Sequence, residues 1–119
     1  MKTSGQVVVF RFPQTNQSEG KLRPALLVSR VPGPFDDWLV CMITFQLRHR
    51  VDSFDEVVRA DDDDFGASGL KSESLIRVGR VAVVDGSLLL GAIGEISRQR
   101  VDRIKHKIAE WVLREATTL

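Results

Sequence analysis

The sequence contains little cysteine, which restricts the disulfides and metal sites that it can form. Cys41 is the only cysteine among 119 residues, so an intrachain disulfide framework and a multi-cysteine zinc site are both excluded. Cys41 lies within an apolar run, residues 39–43, and a free cysteine in such surroundings behaves as a small hydrophobic side chain. We therefore expect it to be buried.

Long apolar runs are missing as well. No run approaches the roughly 18 residues that a membrane-spanning helix needs, and the N-terminal residues lack the apolar stretch of a signal peptide. The sequence therefore predicts a cytoplasmic protein without a membrane partner. Its length, its 43% hydrophobic residues and its 28% charged residues are those of an ordinary globular chain. With no internal repeat and no linker, we expect a single domain over residues 1–119.

A strong excess of positive charge, which is usual in nucleic-acid-binding proteins, is also missing, since the net charge is +1. The charges are unevenly distributed, however. Residues 1–50 hold seven Lys and Arg against three Asp and Glu, residues 51–85 hold four against nine, and residues 86–119 hold six against four. Any contact with RNA is therefore expected to be local and centred on the basic first part of the chain.

The chain is instead rich in short β-branched and aromatic segments, which are typical of strands. An amphipathic helix follows the last of them, because Ser97 is a suitable N-cap and apolar residues recur after it at helical spacing. This order predicts a mainly β fold, a strongly bent β-barrel with a C-terminal α-helix. The predicted strands are 5–12, 23–29, 38–45, 53–59 (the more exposed one), 73–78, 80–84 and 92–96, with a turn at 86–91, and the apolar face of the helix is Val101, Ile104, Ile108 and Trp111.

Four consecutive carboxylates, residues 61–64, form the most acidic stretch of the chain. Consecutive side chains cannot all point inward, and the alternating spacing of a calcium loop is absent. We therefore expect a solvated turn there. The sequence predicts no bound metal and no cofactor.

Arg23 is a candidate phosphate ligand because of the proline that follows it. Proline is tolerated at the beginning of a strand, so Pro24 predicts that a strand begins there. The residue before a proline is held extended, and a guanidinium fixed at that position presents a planar fork of donors that suits phosphate. On this segment alone, the favoured alternative is a solvated charge beside an aggregation-prone strand.

Five segments, in the same order along the chain, resemble the MazF/PemK family of toxins from bacterial toxin–antitoxin pairs. The similarity extends over nearly the whole length. The opening strand and its Phe-Pro-x-Thr turn resemble residues 5–9 and 12–15, and the family's most recognisable motif is similar to residues 21–26. The remaining segments are 43–46 (Ile-Thr-Phe-Gln), Gly69-Leu70-Lys71 with Ser74 and Arg77, and 93–97.

The resemblance implies an SH3-like barrel that works as a homodimer. It also implies an endoribonuclease that cuts single-stranded RNA at short sequences without a metal, and an antitoxin that blocks the groove. By the match, Arg23 and Thr44 take the catalytic positions. Phe45 stands where the family usually has a small residue, and Gln14 where an aromatic is common. These departures bear on the recognised sequence more than on the chemistry.

Metal-free cleavage of RNA requires the ribose 2′-OH to attack the adjacent phosphorus while the enzyme stabilises the phosphoryl charge. Arg23 suits the second task, and Thr44 can donate a hydrogen bond to a phosphoryl oxygen. His49 is a possible proton carrier, with a surface histidine between two arginines as the alternative. Stacking on a base is open to Phe45 or Trp38, with a core position favoured for Trp38. The residues expected to bind RNA are Lys21, Gln46, Phe45, Arg48, Arg50, Thr15 and Gln14.

Two other classes of protein remain open on the sequence. One is a barrel toxin of the CcdB type, which binds a protein target such as DNA gyrase. That group acts through its C-terminal end and needs no arginine–threonine pair, whereas this chain has one. The other is a barrel that binds RNA without cutting it, for which the near-zero net charge is the best argument.

Overall fold

The computed structural model describes residues 1–11 and 21–114. Within these ranges the chain forms six strands and two α-helices. The strands are β1 (Gln6–Arg11), β2 (Leu22–Arg30), β3 (Asp37–Thr44), β4 (Glu56–Val58), β5 (Ser74–Asp85) and β6 (Leu89–Glu95). The helices are α1 (Phe65–Ser68) and α2 (Arg98–Leu113), and single 3₁₀ turns lie at Leu47–His49 and Gly86–Leu88.

All six strands belong to one antiparallel sheet with the order β4-β5-β3-β2-β1-β6. The register shifts once between β2 and β3, once between β3 and β5, and twice between β1 and β6. Such bulges bend a sheet and increase its twist. The predicted mainly β, barrel-like fold with a C-terminal helix is confirmed. In the part of the chain that the structure describes, β4 and β6 remain edges and the sheet is not closed.

One strand replaces two that the sequence predicted. The segments 73–78 and 80–84 are joined in β5, which runs through Gly79 without a break. Opposite it on β3, the partner of Met42 is Arg77 and the partner of Cys41 is Val81. The intervening residues of β5 therefore form a bulge. A glycine that suggests a turn is accommodated within a strand in this way.

The predicted fourth strand is shorter and more buried than expected. Only Glu56–Val58 of residues 53–59 is a strand, with Glu56 7% and Val58 0% exposed. The expectation of an exposed strand was wrong because the carboxylate of Glu56 pairs with cations of α2. The predicted turn at 86–91 is likewise shorter, since β6 already begins at Leu89.

Helix α2 covers one face of the sheet, here called the helix face. The Oγ of Ser97 accepts a hydrogen bond from the N–H of Arg100, so Ser97 is the predicted N-cap. Val101 and Ile104 are buried in the core beneath α2, and Ile108 packs against it. The ring of Trp111 meets that of Phe54 edge-on, with the centroids 6.0 Å apart. Val101, Ile104 and Ile108 of the predicted apolar face thus pack on the core, whereas Trp111 is 38% exposed.

Cys41 lies in the same core beneath α2. It is fully buried, as the sequence predicted. Burial raises the pKa of its thiol to about 12. The thiolate, which is the reactive form, is therefore suppressed at neutral pH.

The opposite face of the sheet carries a second apolar cluster and is here called the tryptophan face. Because both faces are apolar, the strands read as nearly continuous hydrophobic runs in the sequence. Trp38 is 5% exposed, so the core position favoured for it is confirmed. The buried members of the cluster are Val8, Phe10, Ala25, Leu27, Trp38 and Val40, and Met42, Ala82, Val84 and Leu89 pack against them.

Candidate active site

Arg23 lies near the beginning of β2, on the tryptophan face. Side chains two positions apart on a strand share a face. Ala25 and Leu27 belong to the cluster of the tryptophan face, so Arg23 lies on that face as well. It is exposed, and it stands opposite Phe10 of β1. A guanidinium at the margin of the apolar cluster can bind an anion that approaches from solvent.

Thr44, the last residue of β3, lies on the same face and at the same end of the sheet. Ala25 pairs with Met42, and this register, continued by two residues, places Arg23 opposite Thr44. Directly opposed residues of an antiparallel pair have neighbouring side chains on one face. The structure thus brings together the two residues that the resemblance marked as catalytic.

The hydroxyl of Thr44 retains its own proton for an incoming ligand. Its Oγ1 accepts a hydrogen bond from the backbone N–H of Gln46, at 3.2 Å. A hydroxyl has one hydrogen to donate and two lone pairs to accept with. The bond from Gln46 fixes the hydroxyl oxygen at the end of β3 and occupies one lone pair. Thr44 can therefore donate to a phosphoryl oxygen without losing this support.

The other predicted RNA ligands lie near this end of β3, in the segment after Thr44. Phe45 is 52% exposed, and Gln46 is also exposed. The 3₁₀ turn follows at once and presents Arg48 and His49 to solvent, with Arg50 directly after it. The Nε of Arg50 pairs with the exposed carboxylate of Asp52 at 3.2 Å. Lys21 is exposed just before β2, and Gln14 and Thr15 lie outside the described residues.

The structure adds a residue that the functional reasoning from the sequence missed. Arg77 of β5 is the partner of Met42 on β3, two residues from the Thr44–Leu75 pair. Both neighbours of Arg77, Ile76 and Val78, are buried in the core of the helix face. Arg77 therefore lies on the tryptophan face with Arg23 and Thr44. An arginine between two apolar residues of a strand was the available signal.

The acidic run at 61–64 is solvated only in part, because Asp61 and Asp63 are exposed whereas Asp62 and Asp64 pair with a buried cation. Asp64 is 8% exposed and holds Arg100 through both carboxylate oxygens, at 2.9 and 3.0 Å. The second nitrogen of that fork also donates to Asp62 at 2.9 Å. The expectation was wrong for Asp62 and Asp64, because the cation that neutralises them lies on α2, far away in the sequence.

Arg100 is the centre of this buried charge network. It is 7% exposed, and each of its five N–H groups has an acceptor. Besides the three bonds to Asp62 and Asp64, Nη1 donates to Glu56 at 3.1 Å and to the carbonyl of Val57 at 3.0 Å. The network ties α2 to β4 and to the acidic loop. The remaining cations of α2 in contact with Glu56 are Arg103, at 3.0 Å, and Lys107, at 2.7 Å.

This network should make the stability of the fold depend on acid. Hydrogen bonds from Arg100 lower the pKa of Asp64 to about 2 from the ordinary value of 3.8. The contribution of Asp64 is then complete above about pH 4 and is lost as the pH falls towards 2. We expect Asp64→Asn to be less stable than the wild type at neutral pH, and the difference to shrink between about pH 4 and pH 2.

Urea unfolding across this pH range measures the difference. Asp63→Asn is the matched control, because Asp63 is an exposed neighbour in the same run. A stability difference between the wild type and Asp64→Asn that stays constant down to about pH 2 would contradict the role given to Asp64.

Two surface grooves among the described residues lie away from Arg23 and Thr44. One of 450 Å³ is lined by the acidic loop, the end of β6 and the beginning of α2. Another of 630 Å³ lies along the charged side of α2. Arg23 itself is exposed at the margin of the sheet. Such a surface suits an extended polymer better than a small molecule.

The sequence matches the profile of a family described as PemK-like, MazF-like toxins of type II toxin–antitoxin systems, over residues 3–112. The chain belongs to this family. The resemblance drawn from its motifs is confirmed. The matched range includes Arg23, Thr44 and Arg77.

A comparison with solved structures also supports the fold of this PemK-like toxin. It is similar to an endoribonuclease in complex with its cognate antitoxin from Mycobacterial species, with a TM-score of 0.64 and 15% sequence identity. The similarity covers 98% of this chain and 100% of that one. At this identity the comparison supports the fold. A comparison with curated proteins finds no match.

The described residues, 1–11 and 21–114, were also searched for membrane-spanning helices and for metal-binding groups of side chains. No helix there is long and apolar enough to cross a membrane. In the same ranges, no three His, Cys, Asp or Glu side chains are grouped so that they could hold a metal ion.

Proposed function

We propose that this toxin is an endoribonuclease that cleaves single-stranded RNA at specific short sequences without a metal. The observation that carries the proposal is the placement of Arg23 and Thr44 on one face, at one end of adjacent strands. Family membership supports it, and so does the endoribonuclease activity of the mycobacterial structural relative. Both residues present donors to solvent, as the binding of a phosphodiester requires.

In this mechanism the 2′-oxygen of the ribose attacks the adjacent phosphorus. A bond forms between that oxygen and phosphorus, and the bond from phosphorus to the 5′-oxygen breaks. The products are a 2′,3′-cyclic phosphate and a 5′-OH. Arg23 binds two phosphoryl oxygens through its fork, and Thr44 donates to a phosphoryl oxygen as negative charge develops there.

The protons need a separate carrier, because arginine stays protonated near neutral pH. The 2′-OH must lose a proton and the 5′-oxygen must gain one. His49 is the candidate, since it is exposed in the 3₁₀ turn that follows Thr44 within a few residues. Measuring the pH profile of cleavage tests this role. If His49→Ala loses most of its cleavage rate and its pH profile changes, His49 carries a proton in the reaction. If the rate and the profile are unchanged, His49 has no such role.

The remaining exposed residues around the site would bind the RNA chain. Lys21, Arg48 and Arg50 contact phosphates and so contribute affinity that depends on salt. Phe45, half exposed at the end of β3, stacks on an unpaired base, which is worth about 1–3 kcal/mol where it occurs. Base stacking is tolerant of sequence, so hydrogen bonds from Gln46 are the better source of specificity.

We further propose two protein partners. One is a cognate antitoxin with an acidic segment that folds over the basic residues of the site. Co-expression with the neighbouring gene tests this partner, and a neighbouring gene product that neither binds nor inhibits the toxin would count against it.

The other proposed partner is a second copy of this chain. β6 is an edge strand on which Leu90 and Ile93 are 61% and 45% exposed, and unprotected edges favour pairing. Light scattering at tens of micromolar should give a dimer mass, and a monomer mass would contradict it.

Incubation of the purified protein with unstructured RNA in EDTA tests the proposed activity. Cleavage supports a metal-independent endoribonuclease. Binding without cleavage would favour an RNA-binding barrel, and neither binding nor cleavage would favour a toxin of the CcdB type with a protein target. Cleavage that stops on chelation would retain the nuclease and overturn its metal independence.

A further inference from the structure

Asp55 is a buried carboxylate that the proposed mechanism does not use. It is 8% exposed and lies directly before β4. Its Oδ1 accepts a hydrogen bond from the backbone N–H of Val78 at 2.9 Å, and its Oδ2 accepts one from the N–H of Val51, also at 2.9 Å. In the described parts of the chain its partners are thus two backbone donors and not a cation. A carboxylate bonded in this way holds two segments of backbone together.

The bond to Val78 fixes Asp55 to the sheet. The pairing of Glu56 with Ile76, continued by two residues, would place Phe54 opposite Val78. The chain turns away from β5 before that point, and the side chain of Asp55 accepts the hydrogen bond in place of a longer β4. Val78 is fully buried in the core of the helix face. Asp55 is therefore held against a rigid part of β5.

The bond to Val51 holds the end of an exposed segment, residues 45–50, here called the basic segment. At the beginning of this segment the N–H of Gln46 bonds to Thr44, and the 3₁₀ turn is closed by bonds within the segment. Apart from half-buried Leu47, all of its residues are exposed. Because packing contributes little there, hydrogen bonds at the two ends determine where the segment lies. Asp55 supplies the bond that follows its last residue.

The turn between Val51 and Asp55 brings the carboxylate within reach of the backbone. The N–H groups of Phe54 and Asp55 both bond to the carbonyl of Val51, at 3.2 and 3.0 Å. Within this turn Ser53 has a φ of +66°, a conformation that residues other than glycine rarely adopt. A strained residue of this kind persists only where the surrounding structure determines its conformation. The bonds of Val51 and Asp55 are those surroundings.

We infer that Asp55 is a positioning residue for RNA binding, which fixes the basic segment to β5 so that Arg48 and Arg50 are held ready for the phosphates of the RNA. The inference rests on the proposed function. Holding these long side chains on an ordered backbone before RNA arrives lowers the cost of ordering them on binding. Asp55 is itself buried and acts only through the segment that it holds.

Binding of an RNA oligomer with a 2′-deoxynucleotide at the cut position, titrated over a range of salt concentrations, tests this role. In Asp55→Asn one oxygen is replaced by a donor, so one of the two backbone bonds is lost. The slope of log K against log salt should become shallower by about 0.7 to about 1.4, because one or two phosphate contacts are lost. Asp64→Asn is the matched control, an equally buried carboxylate whose partners lie at the beginning of α2, and should leave the slope unchanged.

A double-mutant cycle shows whether Asp55 acts through the basic segment. Arg48→Gln should make the slope shallower by about 0.7 in the wild type and should have no further effect in Asp55→Asn, where that contact is already lost. Lys21→Gln is the control, because Lys21 is exposed on another segment, and should have its full effect in both backgrounds. Amide hydrogen exchange at Val51 and Val78 should be faster in Asp55→Asn, and unchanged exchange at both would contradict the inference.

Three further results would overturn it. In the first, the effects of Asp55→Asn and Arg48→Gln simply add, as those of Asp55→Asn and Lys21→Gln should. In the second, Asp64→Asn changes the slope as much as Asp55→Asn, which means that loss of stability is the cause. In the third, the slope of Asp55→Asn is that of the wild type. If Asp55→Asn does not fold by circular dichroism, Asp55→Glu replaces it, with both acceptors displaced by one methylene and the same coupling expected.

The same titration separates this inference from the proposed function. A wild type that binds the oligomer but does not cleave unmodified RNA would overturn the proposed activity, and the cycle would still decide the role of Asp55. A wild type that binds no RNA would overturn both.

Discussion

Replacing Arg23 or Thr44 with alanine should lower the rate of RNA cleavage by about 10²-fold or more, with the fold retained. Arg23 is exposed and Thr44 is only half buried, so neither truncation leaves a large cavity in the core. Each removes a donor that is aligned with charge developing on the phosphoryl group. Single-turnover cleavage with saturating enzyme measures the effect on the chemical step.

Conservative variants separate catalysis from packing at these two positions. Arg23→Lys should remain slow, because one ammonium cannot replace the planar fork. Thr44→Ser should keep much of the rate, because it retains the hydroxyl. Arg30→Ala is the matched control, an exposed arginine at the opposite end of β2, and should leave the rate unchanged. An Arg23→Ala enzyme that keeps its rate would remove Arg23 from the mechanism.

Replacing Arg100 with methionine should destabilise the fold by about 3–5 kcal/mol, because it leaves the buried carboxylate of Asp64 without its cation. Asp64 and Glu56 are each almost fully buried around this guanidinium. The free energy of unfolding, measured in urea, reports the loss. Arg98→Met is the matched control on the same helix, since Arg98 is exposed, and should change stability by less than about 0.5 kcal/mol.

A second substitution shows whether the uncompensated charge is the cause. Adding Asp64→Asn to Arg100→Met removes that stranded carboxylate. The double variant should then be less destabilised than the sum of the two single variants. Strict additivity, or an Arg100→Met protein as stable as the wild type, would contradict the role given to the network.

The charge network also explains why a net charge of +1 is compatible with an RNA-binding surface. The carboxylates of Glu56, Asp62 and Asp64 are neutralised by cations of α2. They therefore contribute little field at the other face of the sheet. There, Arg23 and Arg77 have no ion pair among the described residues. The net charge of the whole chain thus argues weakly against local binding of RNA.

The parts of the fold that could be predicted from the sequence are those with local signals. Runs of β-branched residues marked the main strands, and the Ser97 cap with helical spacing marked α2. The burial of Glu56 and Asp64 could not be predicted, because their partner Arg100 is 44 and 36 residues away in the sequence. The continuity of β5 through Gly79 was missed because a bulge and a turn share the same residue signal.

The candidate site was predictable in part for the same reason. Pro24 made Arg23 stand out locally, whereas Thr44 came from family resemblance alone. Their adjacency depends on the register between β2 and β3, which the structure supplies. The place of Arg77 depends on a third strand, because its partner Met42 lies on β3. Strand pairing is non-local, so no pattern within one segment reveals it.

Cleavage of an RNA oligomer with a single 2′-deoxynucleotide at the mapped cut site tests most directly whether this toxin cleaves RNA by attack of the 2′-OH. In EDTA, the unmodified oligomer should give a 2′,3′-cyclic phosphate and a 5′-OH, identified by mass spectrometry. The substituted oligomer should still bind and should stay intact at that bond. Cleavage of the substituted oligomer there at a similar rate, or products with a 5′-phosphate, would contradict the mechanism.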